Sequence, residues 1–197
     1  MRAQSTMTVE EHKSRSDRSY KLLLLFAMVS MTMMFAGLTS AFVISKSRAD
    51  WLQNFQMPVA FFISTAVIIG CSVTFHLAKL AVKKDNRGGV TLWLLATLVL
   101  GTAFVFLQFA GFDAIIQQGY YFTGSESNIT TTFLYVVTIA HLAHLAGGMI
   151  SLLIIIYNHF KQKYNSRQTL GIELGAMYWH FLDLLWVYLF LFLYFFK

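Results

Sequence analysis

Residues 131–157 read TTFLYVVTIAHLAHLAGGMISLLIIIY, an unbroken run with no Asp, Glu, Lys, Arg or Pro. A helix needs about 20 apolar residues to cross a hydrocarbon core about 30 Å thick, so this run is long enough to span a membrane. Four others match it in character: 20–44, 58–81, 91–112 and 172–196. A β-barrel would instead show short segments of alternating polarity. The first run is too long for a signal-peptide core and no small-residue cleavage site follows it, so it reads as a retained helix. The fold expected is all-α: a polytopic membrane protein built as a bundle of five transmembrane helices. Residues 1–19 read as a polar tail, and 20–197 as the membrane domain.

Composition agrees. Of 197 residues, 57% are apolar and 12% charged, with 19 Phe and 1 Pro. Soluble domains are about 25% charged. A soluble protein could not cover this much apolar side chain, and the same excess excludes disorder. The single cysteine, Cys71, lies within an apolar run. It can form neither an internal disulfide nor a thiolate cluster, and reads as a small buried hydrophobe. The connections are short, and no internal repeat is visible. The link 113–130 is richest in Gly, Ser, Thr and Asn and reads as a surface loop. Its Asn128-Ile129-Thr130 matches a glycosylation sequon, a weak signal.

The net charge is +6. Sorted by connection, the basic residues fall unevenly. Arg2, Lys13, Arg15, Arg18, Lys21, Lys79, Lys83, Lys84, Arg87, Lys161, Lys163 and Arg167 lie on one side; Lys46, Arg48 and Lys197 lie on the other. Cytoplasmic loops carry the excess of Lys and Arg. The N-terminus is therefore expected in the cytoplasm and the C-terminus in the periplasm. The positive balance is a topology signal and gives no reason to propose nucleic acid.

Helices in lipid associate through small residues and interhelical hydrogen bonds. Stripes of such residues, spaced to share a face, are Ser30, Gly37 and Ser40 in the first helix and Thr65, Ser72 and His76 in the second. The third offers Gly101, Gln108 and Gly111; the fourth His141, His144, Gly148 and Ser151; the fifth Glu173, His180 and Asp183. These are expected to face inward. Ionisable groups at membrane depth are costly and face the bundle interior. Asp183 and His180 fall near mid-membrane, and Glu173 near the cytoplasmic mouth. Three readings of this cluster stand side by side: a haem or metal site, a proton relay, and a hydrogen-bonded knot between helices four and five. His141 and His144 share one helix face, so both cannot serve opposite sides of one haem.

The fifth helix contains YWHFLDLLWVYLF, residues 178–190, with Glu173 upstream. This resembles the C-terminal helix of subunit III of haem–copper cytochrome oxidases, whose pattern is YWHFVD followed by Trp and aromatics. Thr138, Ala140, His141 and His144, then Gly147 and Gly148, are similar to that family's T-G-x-H-x-x-H helix. Leu100, Gly101, Phe104 and Gln108, and Met34-Phe35-Ala36-Gly37, resemble two further family segments. The likeness covers nearly everything after residue 20, and five helices match the shorter bacterial members. Two positions depart: Met31 stands where the family usually has a membrane glutamate, and Gly111 and Phe112 stand where it has an acidic residue and Tyr.

The resemblance implies a subunit without haem or copper of its own, packed beside the catalytic subunit of a proton-pumping oxidase in the bacterial inner membrane. Haem and copper are then expected in partner subunits I and II, with further small subunits or a cytochrome bc-type complex as neighbours. It also implies bound phospholipid, support of proton uptake and protection during turnover. The polar set Gln108, His141, His144, Glu173, His180 and Asp183 is expected to serve structure, lipid or protons. Tyr178, Trp179 and Trp186 carry the motif. Residue types alone agree on one point: no Cys cluster or Gly-rich nucleotide loop is present. A quinol oxidase subunit and a nitric-oxide-reductase accessory protein are the related alternatives. A stand-alone transporter is the unrelated one, though the repeated halves and broken helices of transporters are not seen.

Overall fold

The computed structural model describes residues 9–48, 50–52, 56–124, 128–165 and 168–196. Arg2, Arg167 and Lys197, counted above for topology, lie outside them. Five helices follow in order: α1 (Val9–Ile44), a 3₁₀ turn (Ser45–Ser47), α2 (Val59–Lys83), α3 (Arg87–Gln117), α4 (Ile129–Phe160) and α5 (Leu170–Phe196). All five are long and apolar enough to span a membrane. The shortest, α2, has 25 residues, about 38 Å at ~1.5 Å per residue. No strand forms among the described residues.

Every helix runs past its apolar stretch. The difference is largest in α1, which begins at Val9, inside the stretch that composition marks as tail. Composition marks where chain meets hydrocarbon, whereas a helix ends where its backbone bonds stop. No Gly or Pro occurs between Val9 and Ala36, so nothing halts the helix as it leaves the apolar zone.

The ends have local causes. Asn86 caps α3 by accepting a bond from the Gly89 amide at 3.0 Å. Asn128 caps α4, its Oδ1 accepting from the Thr131 amide at 3.0 Å, so the sequon asparagine is spent on a cap. At the C-termini of α2, α3 and α4 one residue turns left-handed: Asp85, Gly119 and Gln162, with φ of 52°, 84° and 58°. Each is followed by an amide reaching back five residues, such as Tyr120 to Ile115 O at 3.2 Å. This is the Schellman ending.

α2 and α3 form a tight antiparallel pair, tied by Thr74 and Thr97 hydroxyls at 2.8 Å and by Gln108 Nε2 donating to Ser64 Oγ at 3.0 Å. α5 packs against α1, α2 and α4, and α3 against α4. The core is aromatic and aliphatic: Phe61, Phe75, Phe104, Trp179 and Trp186 are buried with Ile68, Leu145 and Leu182. Phe26, Met33, Leu92, Val99, Phe106, Ile150 and Leu184 are exposed along the outside, as lipid-facing residues should be.

The small-residue stripes hold throughout α3 and in part for α4 and α5, where His144, Ser151, Glu173 and His180 are half-buried. In α2, Thr65 and Ser72 are half-buried and His76 is exposed, and the α1 stripe fails. Gly101, Gln108, Gly111, His141 and Gly148 are buried, while Ser30, Gly37 and Ser40 are exposed. A Cβ on Gly37 would meet nothing within 4 Å. α1 turns Phe35, Thr39 and Phe42 inward instead. Phe35 fits against His141 and His144, and Thr39 Oγ1 lies 3.2 Å from Tyr188 Oη. Aromatic burial against α4 and α5 outweighs close backbone approach on this helix.

Candidate functional site

The polar residues around α5 fall into three places rather than one. The first is at the basic end. Lys21 of α1 donates to Glu173 Oε2 at 2.6 Å, and Thr169 Oγ1 donates to Glu173 Oε1 at 2.8 Å. Glu173 lies in the first turn of α5, where the macrodipole favours a carboxylate. Glu173 and Asp17 line a polar cavity of about 370 Å³ together with Lys13, Lys21, Lys163 and Gln168. An apolar cleft of about 410 Å³ adjoins it, walled by Leu24, Ile154, Ile155, Leu174 and Tyr178. Tyr164 and Gly171 line both. Burial pushes the Tyr164 phenol up from its ordinary range, offset in part by its bond with Asn158.

The second place is the seam between α4 and α5. Tyr178 Oη donates to the His144 carbonyl at 3.0 Å, and Trp179 Nε1 to the Gly148 carbonyl at 3.2 Å. His144 Nδ1 lies 2.7 Å from the Ala140 carbonyl, so that ring serves its own helix. His141 is 1% exposed and neither ring nitrogen is hydrogen-bonded. Its ring sits among Phe35, Phe104 and Trp186, with centroids 6.4, 6.2 and 5.1 Å away. Aromatic walls on three helices hold it in an apolar niche.

The third place is the seam between α2 and α5. Ser72 Oγ lies 2.6 Å from His180 Nδ1, and Trp186 Nε1 donates to Thr65 Oγ1 at 3.1 Å. His76 is exposed, its ring 6.1 Å from that of His180. The two histidines line an open groove of about 390 Å³ with Ser72, Val73 and Leu77. Asp183 is 4% exposed and neither carboxyl oxygen is hydrogen-bonded.

The residues singled out in the sequence are therefore divided. Glu173 stands at the basic end, His141 and His144 face α1 and α5, and His180 reaches toward α2. Gln108 joins α3 to α2 through Ser64, its Oε1 left unpaired. The expected knot of His180 and Asp183 with α4 is not what joins those helices. Tyr178 and Trp179 make the join through backbone carbonyls, because the absence of side chains at Gly147 and Gly148 leaves that surface open. Sequence reasoning missed Lys21 as the partner of Glu173 and Thr39 as the partner of Tyr188, contacts separated by about 150 positions with no local signal. Among the described residues no group of three His, Cys, Asp or Glu is placed to hold a metal ion.

Five spanning helices and a fifth helix stitched to its neighbours by Tyr178, Trp179, His180 and Trp186 define a multi-pass membrane subunit built around the YWHF segment. A model of the family cytochrome c oxidase subunit III matches residues 2–197, and the chain belongs to that family. It is 28% identical to cytochrome c oxidase subunit 3 of Thermostichus vulcanus, across 98% of this chain and 94% of that one. It is 28% identical to the subunit 3 of Bacillus sp. strain PS3, across 81% and 77%. It is 27% identical to the cytochrome bo(3) ubiquinol oxidase subunit 3 of Pseudomonas aeruginosa, across 69% and 63%. The chain is a subunit III of the haem–copper oxidase class.

Proposed function

We propose that this chain is the non-catalytic subunit III of a proton-pumping cytochrome c oxidase in the bacterial inner membrane, seated on the catalytic subunit, holding phospholipid and sustaining proton uptake and turnover. Haem and copper belong to partner subunits I and II on this reading. Small subunits or a cytochrome bc-type complex are further neighbours. The observation that carries it is the joined cavity pair at the basic end. An apolar cleft between α1, α4 and α5 suits an acyl chain, and the lysines of its mouth suit a phosphate headgroup. The cytoplasmic placement of that end follows from the distribution of Lys and Arg.

A lipid held in this cleft would keep α1 seated on α4 and α5, the two helices against which it packs among the described residues. That explains how a subunit without redox groups affects endurance: it preserves the shape of the partner's flank without carrying electrons. The test compares oxygen consumption over many turnovers by the complex with and without this chain. The expected result is an unchanged haem spectrum, a largely retained initial rate, and faster inactivation in its absence. Immediate loss of the haem spectrum would overturn the accessory role, and an unchanged lifetime would overturn the protective one. The Pseudomonas aeruginosa relative favours one second reading, a quinol oxidase subunit. Assaying the purified complex with reduced cytochrome c and with ubiquinol decides between the two.

A further inference from the structure

We propose that Asp17 selects the lipid of the joined cavities. The polar cavity takes a zwitterionic headgroup, a phosphate carrying a primary ammonium as in phosphatidylethanolamine, ahead of an anionic one such as phosphatidylglycerol. The inference rests on the lipid reading of these cavities and adds the chemistry of the headgroup.

Five charged side chains line the polar cavity: Lys13, Asp17 and Lys21 from α1, Lys163 from the link after α4, and Glu173 from α5. Lys21 and Glu173 satisfy each other at 2.6 Å, and Thr169 donates to the second carboxylate oxygen at 2.8 Å. That leaves two cations, Lys13 and Lys163, and one anion, Asp17. None of these three is in an ion pair among the described residues. Lys13 and Asp17 stand four apart on α1, near enough to meet, but with the lysine on the N-terminal side, the weaker order for a helical pair.

Asp17 is also set apart by burial. Along residues 11–20 every other side chain is exposed, and Asp17 alone is half-buried. A carboxylate drawn partly out of water costs free energy unless a cation answers it. A bare phosphate would meet Lys13 and Lys163 but would lie beside the like charge of Asp17. A phosphate bearing an ammonium answers all three groups. The ammonium must be primary: it brings three N–H donors to the carboxylate, as a lysine does. The quaternary nitrogen of choline has none.

The ligand is a lipid rather than a soluble phosphodiester because the polar cavity continues into the apolar cleft. Tyr164 and Gly171 line both. A Cβ on Gly171 would run into the Tyr164 hydroxyl, so glycine is what lets the phenol lie against the start of α5. The phenol marks the boundary between headgroup and acyl chain, with Leu24, Ile154, Ile155 and Leu174 beyond it.

The experiment is native mass spectrometry of the detergent-purified complex. It is first exchanged against equimolar phosphatidylethanolamine, phosphatidylglycerol and phosphatidylcholine of identical acyl chains, and the lipid adducts of this chain are read. The parent should carry phosphatidylethanolamine in excess over both others. Asp17→Asn keeps the shape and removes the charge; it should lower the ratio of phosphatidylethanolamine to phosphatidylglycerol about fivefold, the scale of one partly exposed ion pair. Asp17 lies ahead of the apolar run that begins at residue 20, so this variant leaves the bundle intact. Lys163→Ala should weaken all three lipids, since it removes a phosphate contact common to them. Glycerophosphoethanolamine, the headgroup without acyl chains, should fail to displace the bound lipid at equal concentration. A ratio unchanged by Asp17→Asn, or an excess of phosphatidylglycerol on the parent, overturns the headgroup assignment and leaves the lipid reading standing. Displacement by glycerophosphoethanolamine makes the ligand a soluble phosphodiester and overturns both. A chain that carries no phospholipid from any mixture overturns the lipid reading itself.

Discussion

Asp183 shows what a single residue contributes here and how far sequence reaches. Its place near mid-membrane and its inward aspect follow from its position in helix five, and it is 4% exposed. That its oxygens make no hydrogen bond does not follow, because residue spacing cannot say that Ser72 is taken by His180. An unpaired buried polar group costs about 1–3 kcal/mol. An apolar residue of similar volume in its place removes that cost. Asp183→Leu should therefore assemble and melt at or above the parent temperature, by the equivalent of roughly 0–3 kcal/mol. Thermal unfolding of the detergent-purified complex measures it. Release of the chain from its complex would instead make the carboxyl a structural tie.

Among the elements, α5 organises the bundle. Its sequence gives away more than that of any other helix, because Trp and Tyr recur along it and each needs both a pocket and a hydrogen-bond acceptor. Trp179 finds both. A Cβ on Gly101 would come within 3.0 Å of its ring, and a Cβ on Gly148 within 3.6 Å, so the indole occupies space left by two glycines on two other helices. Trp179→Ala should cost about 3–5 kcal/mol through the cavity it leaves. Trp179→Phe keeps a ring there but loses the bond to the Gly148 carbonyl, worth about 0.6–2 kcal/mol in membranes. The temperature at which the subunit leaves its complex ranks the two. Equal losses would mean that the hydrogen bond, and not the packing, fixes the seam. α1 is the opposite case. Its sequence offers two faces, one of Ser30, Gly37 and Ser40 and one of Phe35, Thr39 and Phe42. Which turns inward is decided by the aromatic and histidine surface of α4 and α5, information absent from α1 itself.

At the scale of the whole molecule, what sequence reveals best is the number of spans and the gathering of basic residues at one end. Helix count follows from the physics of the bilayer, since each backbone polar group must be satisfied within its own segment. The structure brings Lys13, Lys21 and Lys163 around one cavity, and Arg87 around another with Asn165 and Tyr164, so the ends sorted by counting do meet in space. At the opposite end Lys46 lies over Trp51 and Phe196, 5.8 and 5.4 Å from the ring centroids. Which end faces the cytoplasm can be read by labelling. The chain has one cysteine, Cys71, fully buried and set 3.8 Å from the Thr97 carbonyl, so it should stay silent toward an impermeant thiol reagent. Cysteines introduced at Ser16, Gly88 and Thr123 are all exposed. A Cβ at Gly88 meets only Asn86, at 3.8 Å, so this substitution fits without strain. With the basic end inside, Thr123→Cys should react in intact cells, whereas Ser16→Cys and Gly88→Cys should react only after permeabilisation. The reverse pattern would place the basic cavity in the periplasm and remove the cytoplasmic membrane leaflet as the source of its lipid. Labelling of all three from outside would show that the chain does not alternate across the bilayer five times.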